Sequence, residues 1–279
     1  MNFEGRKLII GTKHGKEKVI APILEKELNV HCFVDSNFDS DVFGTFTGEI
    51  ERLDDPITVL KAKCLAAMHD NNCDLGVATE GSFGAHPSYF FVPANDELMI
   101  LIDTKNELEI IVRNLTTETN FAGQEINNLE ELNAFAEKVD FPSHGLIMKK
   151  SADDLSITRK GITTHNELNA SFKFFIKEFE KAYIETDMRA MYNPTRMKVI
   201  EQLTHKLVQK FKQKCPKCEN PGFDVVELVA GLPCAYCHMP TNSTLIHRYK
   251  CLKCKHIEDL KFPNEKETED PGYCNFCNP

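Results

Sequence analysis

Cys215-Pro-Lys-Cys218, Cys234-Ala-Tyr-Cys237, Cys251-Leu-Lys-Cys254 and Cys274-Asn-Phe-Cys277 place eight of the eleven cysteines in four identical spacings within the last quarter of the chain. Two cysteines separated by two residues can point into one tetrahedral site, and two such pairs complete a four-thiolate shell, so four pairs imply two structural zinc ions. The gaps of 15, 13 and 19 residues suit paired knuckles. A disulfide framework would need an export signal, whereas Met1-Asn2-Phe3-Glu4-Gly5-Arg6-Lys7 leads straight into an apolar strand. A lone pair could serve redox chemistry, but four in succession do not fit it. Spacing leaves the pairing open. The second and third knuckles bracket Thr244-Leu-Ile-His-Arg-Tyr249, read as a hairpin, and have the shortest loop to close, which leaves the outer two to meet. An interleaved pairing competes closely. With eight thiolates on hand, His238, His247 and His256 are read as surface residues rather than ligands.

A chain of 279 residues accommodates one substantial core and a small module, here residues 1–213 and 214–279. Its apolar and charged fractions, 42% and 27%, are those of an ordinary soluble globular protein. No apolar run approaches the roughly 20 residues of a membrane span. Reduced-type cysteine usage without an export signal points to the cytoplasm. The net charge of −9 argues against a nucleic-acid partner. Residues 214–279 carry eight Lys and Arg against nine Asp and Glu, and each zinc with four thiolates adds about −2. The module is therefore expected to be architectural or to contact a protein.

Upstream, Lys7-Leu-Ile-Ile10 reads as a buried strand ending in Gly11-Thr-Lys-His-Gly-Lys16, followed by a helical pattern at Val19, Ile20, Ile23, Leu24 and Leu28. The N–H groups of a helix start with Lys13, Lys16 and Lys18 would suit a phosphate, although most such turns bind nothing. Asp55-Pro56 caps a helix over residues 57–69, and Leu75-Gly-Val-Ala-Thr79 is a strand that runs into Glu80-Gly-Ser-Phe-Gly84. A carboxylate at a strand end flanked by glycines is where open α/β sheets put their chemistry, and a turn with a solvated glutamate is the plain alternative. Residues 97–103 and 108–113 read as an antiparallel hairpin. Helices are expected near residues 128–139 and 166–183, the second with a core stripe of Leu168, Phe172, Phe175, Ile176 and Phe179. Asn193-Pro194 starts a further helix. Arg189 and Arg196 beside its N–H donors could grip a phosphate, or pair with Glu185 and Asp187 as a structural network. Cys32, Cys64 and Cys73 are read as buried thiols.

Several of these stretches resemble a family known as domain of unknown function 6671. They are Gly11-Thr-Lys-His-Gly-Lys16, Phe43-Gly-Thr-Phe-Thr-Gly48, Glu80-Gly-Ser-Phe-Gly84, Thr119-Asn-Phe-Ala-Gly123, Asp187-Met-Arg-Ala190, Asn193-Pro-Thr-Arg196 and the four knuckles. That family brings no established activity. More distantly, residues 8–84 resemble the first half of the inosine/xanthosine triphosphate pyrophosphatases, which are magnesium-dependent. The Thr12…Lys16 loop matches theirs in spacing, which implies Lys16 as a phosphate contact. Val77-Ala-Thr-Glu80-Gly81 matches their strand-then-Glu-Gly segment, which implies Glu80 as a magnesium ligand or base. Lys13 stands where that family has asparagine, and the likeness stops near residue 120.

The expected fold class is α/β: a mixed-sheet domain with flanking helices plus a small β module resembling a zinc ribbon, with two four-cysteine zinc sites. The expected function is metal-dependent hydrolysis of a nucleotide or other phosphorylated small molecule. Thr12, Lys16, Arg189 and Arg196 take the phosphate, and Glu80 holds Mg²⁺ and orients water; the acidic loop Glu49, Glu51, Asp54 and Asp55 is read as a solvated charge run in preference to a source of a further metal ligand. The rival is a non-catalytic adaptor that contacts a protein through its zinc module.

Overall fold

Buried Leu8, Ile9 and Ile10 drive Lys7–Gly11 into β1, and α1 (Glu17–Leu28) follows with Ile20, Leu24 and Leu28 inward until left-handed Asn29 ends it. β2 (His31–Phe33) returns parallel to β1. α2 (Pro56–Asp70) starts where expected: the Asp55 carboxylate accepts from the backbone N–H of Ile57 and Thr58, and Pro56 sets the first turn. The structure, a computed structural model, describes residues 3–39 and 55–279. The Phe43–Gly48 stretch and Glu49, Glu51 and Asp54 therefore lie outside the described residues.

The next three strands are β3 (Leu75–Ala85), β4 (Pro93–Asp103) and β5 (Leu108–Thr116), and the five-stranded sheet has the order β2-β1-β3-β4-β5. β1, β2 and β3 run parallel, while β3, β4 and β5 form an antiparallel meander. The sequence ends the strand at Thr79, with residues 80–84 either the site at its end or a turn; they are instead continuous strand. Its pairing with β4 persists to Ala85 opposite Pro93.

A second, antiparallel sheet has the order β6-β9-β7-β8, from β6 (Gly123–Ile126), β7 (Leu146–Lys149), β8 (Thr158–Ile162) and β9 (Ala182–Thr186). α3 (Leu129–Lys138) and α4 (His165–Phe179) pack with it around Ile126, Leu132, Phe135, Leu146, Phe172, Phe175 and Ile184. The aromatic stripe of α4 is thus core. The helix is shorter than its periodicity predicts: Glu180 takes φ of 63°, and Ala182–Thr186 leaves as β9 because its alternate residues are buried between β6 and β7. α5 (Pro194–Lys212) begins with the Asn193 side chain accepting from the Arg196 N–H at 2.8 Å.

The chain divides into two compact units, Asn2–Leu207 and Val208–Pro279. The second is built on an antiparallel meander, β10 (Asp224–Ala230), β11 (Thr244–Lys250) and β12 (Ile257–Lys261). The segment 244–249, read as a hairpin, is the single central strand. No helix among the described residues is long and apolar enough to cross a membrane.

Candidate functional site

β1 stops at Gly11, opposite Ala78, whereas β3 runs on to Ala85 paired with β4. The last part of β3 therefore has an edge that β1 no longer covers, at the carboxyl end of two parallel strands. Open α/β sheets bind their ligands at such ends. Strand alternation sends Thr79, Gly81 and Phe83 to one face and Glu80 to the other.

On the first face, Lys16 reaches in from the start of α1 and donates to Thr79 Oγ1 at 2.5 Å and to Glu97 Oε1 at 3.5 Å. Arg196, from the first turn of α5, grips the same carboxylate with two donors, Nε to Oε2 at 3.1 Å and Nη2 to Oε1 at 3.0 Å. Its Nη1 donates to the Met188 carbonyl at 2.6 Å, and its guanidinium lies 5.2 Å from the centre of the Phe83 ring. Lys16, Glu97 and Arg196 are all buried. Gly81 makes this possible, because a Cβ there would stand 2.3 Å from Glu97 Oε2 and 2.6 Å from Arg196 Nη2. On the opposite face Lys63 of α2 donates to the Glu80 carboxylate and, at 3.4 Å, to the Thr79 carbonyl. Two ammonium groups thus converge on one residue, Thr79, from either side of the sheet.

Among the described residues, three cations meet two carboxylates here. Arg196 commits the Glu97 carboxylate: burial works against its charged form, but Arg196 and then Lys16 hold it below the usual carboxylate range. Lys16, the looser partner, is pushed down to about 7, first by burial and then by the repulsion of Arg196. Titratable groups displaced in this way cluster at functional sites.

Of the residues singled out from sequence, Lys16 and Arg196 share one carboxylate, and Glu80 lies one residue along the strand but behind the sheet. Thr12 is buried just beyond β1, its hydroxyl accepting from the His14 N–H at 3.4 Å. Arg189 is set apart from this cluster. It pairs with Asp187, Nη2 to Oδ2 at 2.6 Å, and lies over Tyr192. Both members of the ion pair line a cavity of about 290 Å³ with Phe83, Phe121, Lys149 and Glu185, among others. Phe83 and Met188 border this cavity and also touch Arg196. Asn95, on the Glu97 face of β4, is buried with neither amide atom hydrogen-bonded among the described residues. Such orphans are rare in native interiors.

Lys63 and Glu97 were not singled out from sequence. Each carries a signal: Lys63 falls on the buried face of α2 beside Leu60, Cys64 and Ala67, and Glu97 opens an otherwise apolar run. A charged residue at a core position is the feature that stands out.

In the second unit, Cys215, Cys218, Cys251 and Cys254 form one cluster and Cys234, Cys237, Cys274 and Cys277 another, the ligand atoms of each lying within 4.8 Å of one another. The pairing is interleaved, not the nested one that loop closure favours. The reason is the meander: β11 runs antiparallel to β10 with Asp224 opposite Lys250, so the third knuckle returns to the first. β12 then runs back along β11, and the fourth knuckle meets the second. Residues after the second cysteine of three knuckles, Glu219, His238 and Lys255, take φ near 60°, which turns the chain. His238 therefore has a turn role. His256 stacks on Phe223, and no histidine belongs to either cluster.

Taken together, a mixed α/β unit and a β module with two four-cysteine clusters that fit zinc define the class: an α/β protein with a metal-ligating C-terminal module. The model of the family Domain of unknown function (DUF6671) matches residues 63–279, and the chain belongs to that family. The Gly11–Lys16 loop lies outside the match. No curated protein shows significant similarity to the chain.

Proposed function

We propose that the first unit binds and hydrolyses a nucleotide or other phosphorylated small molecule at the carboxyl end of β1 and β3. The observation that carries this reading is the meeting of Lys16 and Lys63 at Thr79, with Arg196 locked to Glu97 alongside. Among the described residues the buried cations outnumber the carboxylates they meet, which suits an anion, and phosphate oxygens are the acceptors such donors recognise. Lys16 supplies the mobile charge, and Arg196 with Glu97 forms the fixed wall. Thr12 and Arg189 contribute hydroxyl and guanidinium donors from the neighbouring loop and cavity.

Glu80 is a single oriented carboxylate, and one or two carboxylates with substrate phosphates are what Mg²⁺ usually asks of a protein. Glu80 would hold the ion on its side of β3, where it would supply charge neutralisation at the phosphate. The ammonium of Lys63 fixes the direction in which that carboxylate points. The distant likeness of residues 8–84 to the inosine/xanthosine triphosphate pyrophosphatases supports the same assignment of Lys16 and Glu80. The clusters in the second unit would bind two structural zinc ions.

The test is phosphate or pyrophosphate release from a panel of nucleoside triphosphates with Mg²⁺ or Mn²⁺. Wild-type turnover that vanishes in Glu80→Gln while ligand binding survives is the expected result. An inert wild type that also binds no member of the panel would rule the reading out.

A second reading, a protein-docking adaptor, is favoured by Tyr236, Tyr273 and Phe276, which stand exposed at the second four-cysteine cluster. Loss of a captured partner on substituting these three rings, with no turnover by the wild type, would favour it.

A further inference from the structure

The sum of charges over residues 214–279 hides how the meander sorts them. The first four-cysteine cluster is surrounded by Lys212, Lys214 and Lys217 on one side and Lys250, Lys253 and Lys255 on the other, with Glu219 the single acid in those two stretches. The second cluster sits among Glu265, Glu267, Glu269 and Asp270, and there Lys266 is bound to Glu269. Residues 231–243, which carry the second knuckle, hold no charged side chain but His238. Of the acids nearer the middle, Glu227 and Asp259 pair with Arg248 and Asp224 with Lys210, while Glu258, which faces the groove beside the lysines, has only His256 within reach among the described residues, at 3.8 Å. Lys214, Lys217, Lys250 and Lys253 make no ion pair among the described residues, and all but half-buried Lys250 are exposed. The strands between the clusters span seven residues, so the two ends lie roughly 20 Å apart at 3.4 Å per residue. That exceeds the Debye length of about 8 Å at physiological salt, so a ligand at one end does not feel the net charge of the whole.

Beside the lysines lies a groove of about 350 Å³ lined by Gln213, Lys214, Phe223, Tyr249, Glu258, Asp259 and Leu260. In it the rings of Phe223 and Tyr249 stack, 5.6 Å between centroids and 27° between planes. Leu252 is exposed at the tip of the third knuckle. A lysine surface tracks phosphates, and the ring surface that half-buried Phe223 and Tyr249 leave in the groove offers stacking for a base; an acidic peptide would use the first feature and not the second.

We infer that the end of the module built on the first four-cysteine cluster binds single-stranded nucleic acid, its backbone on the lysines and a base in the Phe223–Tyr249 groove. The whole-module sum, which argued against nucleic acid, averages two ends of opposite sign.

The experiment uses the full-length protein, loaded with zinc, and fluorescently labelled single-stranded RNA and DNA 12-mers. Binding is expected at 50 mM salt. With about four phosphates neutralised, raising salt to 200 mM should weaken it roughly 50-fold. Lys217→Glu with Lys253→Glu should abolish measurable binding while the doubly substituted protein keeps the zinc content of the wild type. Glu267→Gln, at the other end, should leave affinity unchanged. Absence of binding at 50 mM salt, indifference to the lysine reversals, or equal competition by polyglutamate would overturn the proposal.

Discussion

Glu97 is the residue on which the buried charges of Lys16 and Arg196 depend. Removing its carboxylate strands Arg196, which has no exposed side-chain surface, and Lys16 beside it. Breaking a buried pair by taking one partner costs about 3–5 kcal/mol. Glu97→Ala should therefore lower unfolding free energy by about that much in denaturant titrations, and Glu97→Gln by less. Lys16 gives the site a pH signature. Its pKa in the folded chain is lowered to about 7, whereas the unfolded chain holds that proton to about 10.4. Between those values the unfolded state binds more protons, so the contribution of this group makes stability rise with pH across the window. The proposed anion binding would run the other way, since it needs the ammonium form and should weaken as pH passes about 7. Comparing wild type with Lys16→Met at pH 6.5 and 9 checks both: the variant should lose the pH-dependent gain in stability and the pH-dependent loss of phosphate affinity.

At the scale of elements, β3 matters because it outruns β1. Its alternation separates Thr79 from Glu80, and its one glycine at a close approach to charged groups, Gly81, admits Glu97 and Arg196. Gly81→Ala should displace both side chains. The expected outcome is loss of phosphate-ligand binding with a destabilisation of about 1–3 kcal/mol, as overpacked interiors show. Much of this layout could be read in the chain. The buried run of β1, the Asp55-Pro56 and Asn193-Pro194 helix starts and the α4 core stripe all follow from local chemistry. What local chemistry could not supply was length and partnership. Residues 80–84 look like a turn because Gly, Ser and Gly favour one, and only the pairing with β4 extends the strand through them. Lys63 and Glu97 look like surface charges until each is seen opposite a group 17 or 99 residues away. Arg196 was visible as a cation at a helix start, but its partner was not Asp187 or Glu185.

For the whole molecule the firm expectation is stoichiometric: two zinc ions per chain by elemental analysis. Serine substitutions would also expose the pairing. Cys215→Ser with Cys251→Ser should leave one ion, because both belong to one cluster. Cys215→Ser with Cys274→Ser should leave none. A nested arrangement would give a different pattern.

Interleaving also sets a timetable for biosynthesis. As the chain emerges from the ribosome, the earlier metal centre stays incomplete until Cys254, and the later one until Cys277, 23 residues on. Between Cys237 and Cys254 the nascent polypeptide carries unsatisfied thiols from both centres at once. A premature stop between those two completing cysteines, short of Cys274, would yield a product with a single loaded ion and an orphaned pair, Cys234 and Cys237, open to oxidation.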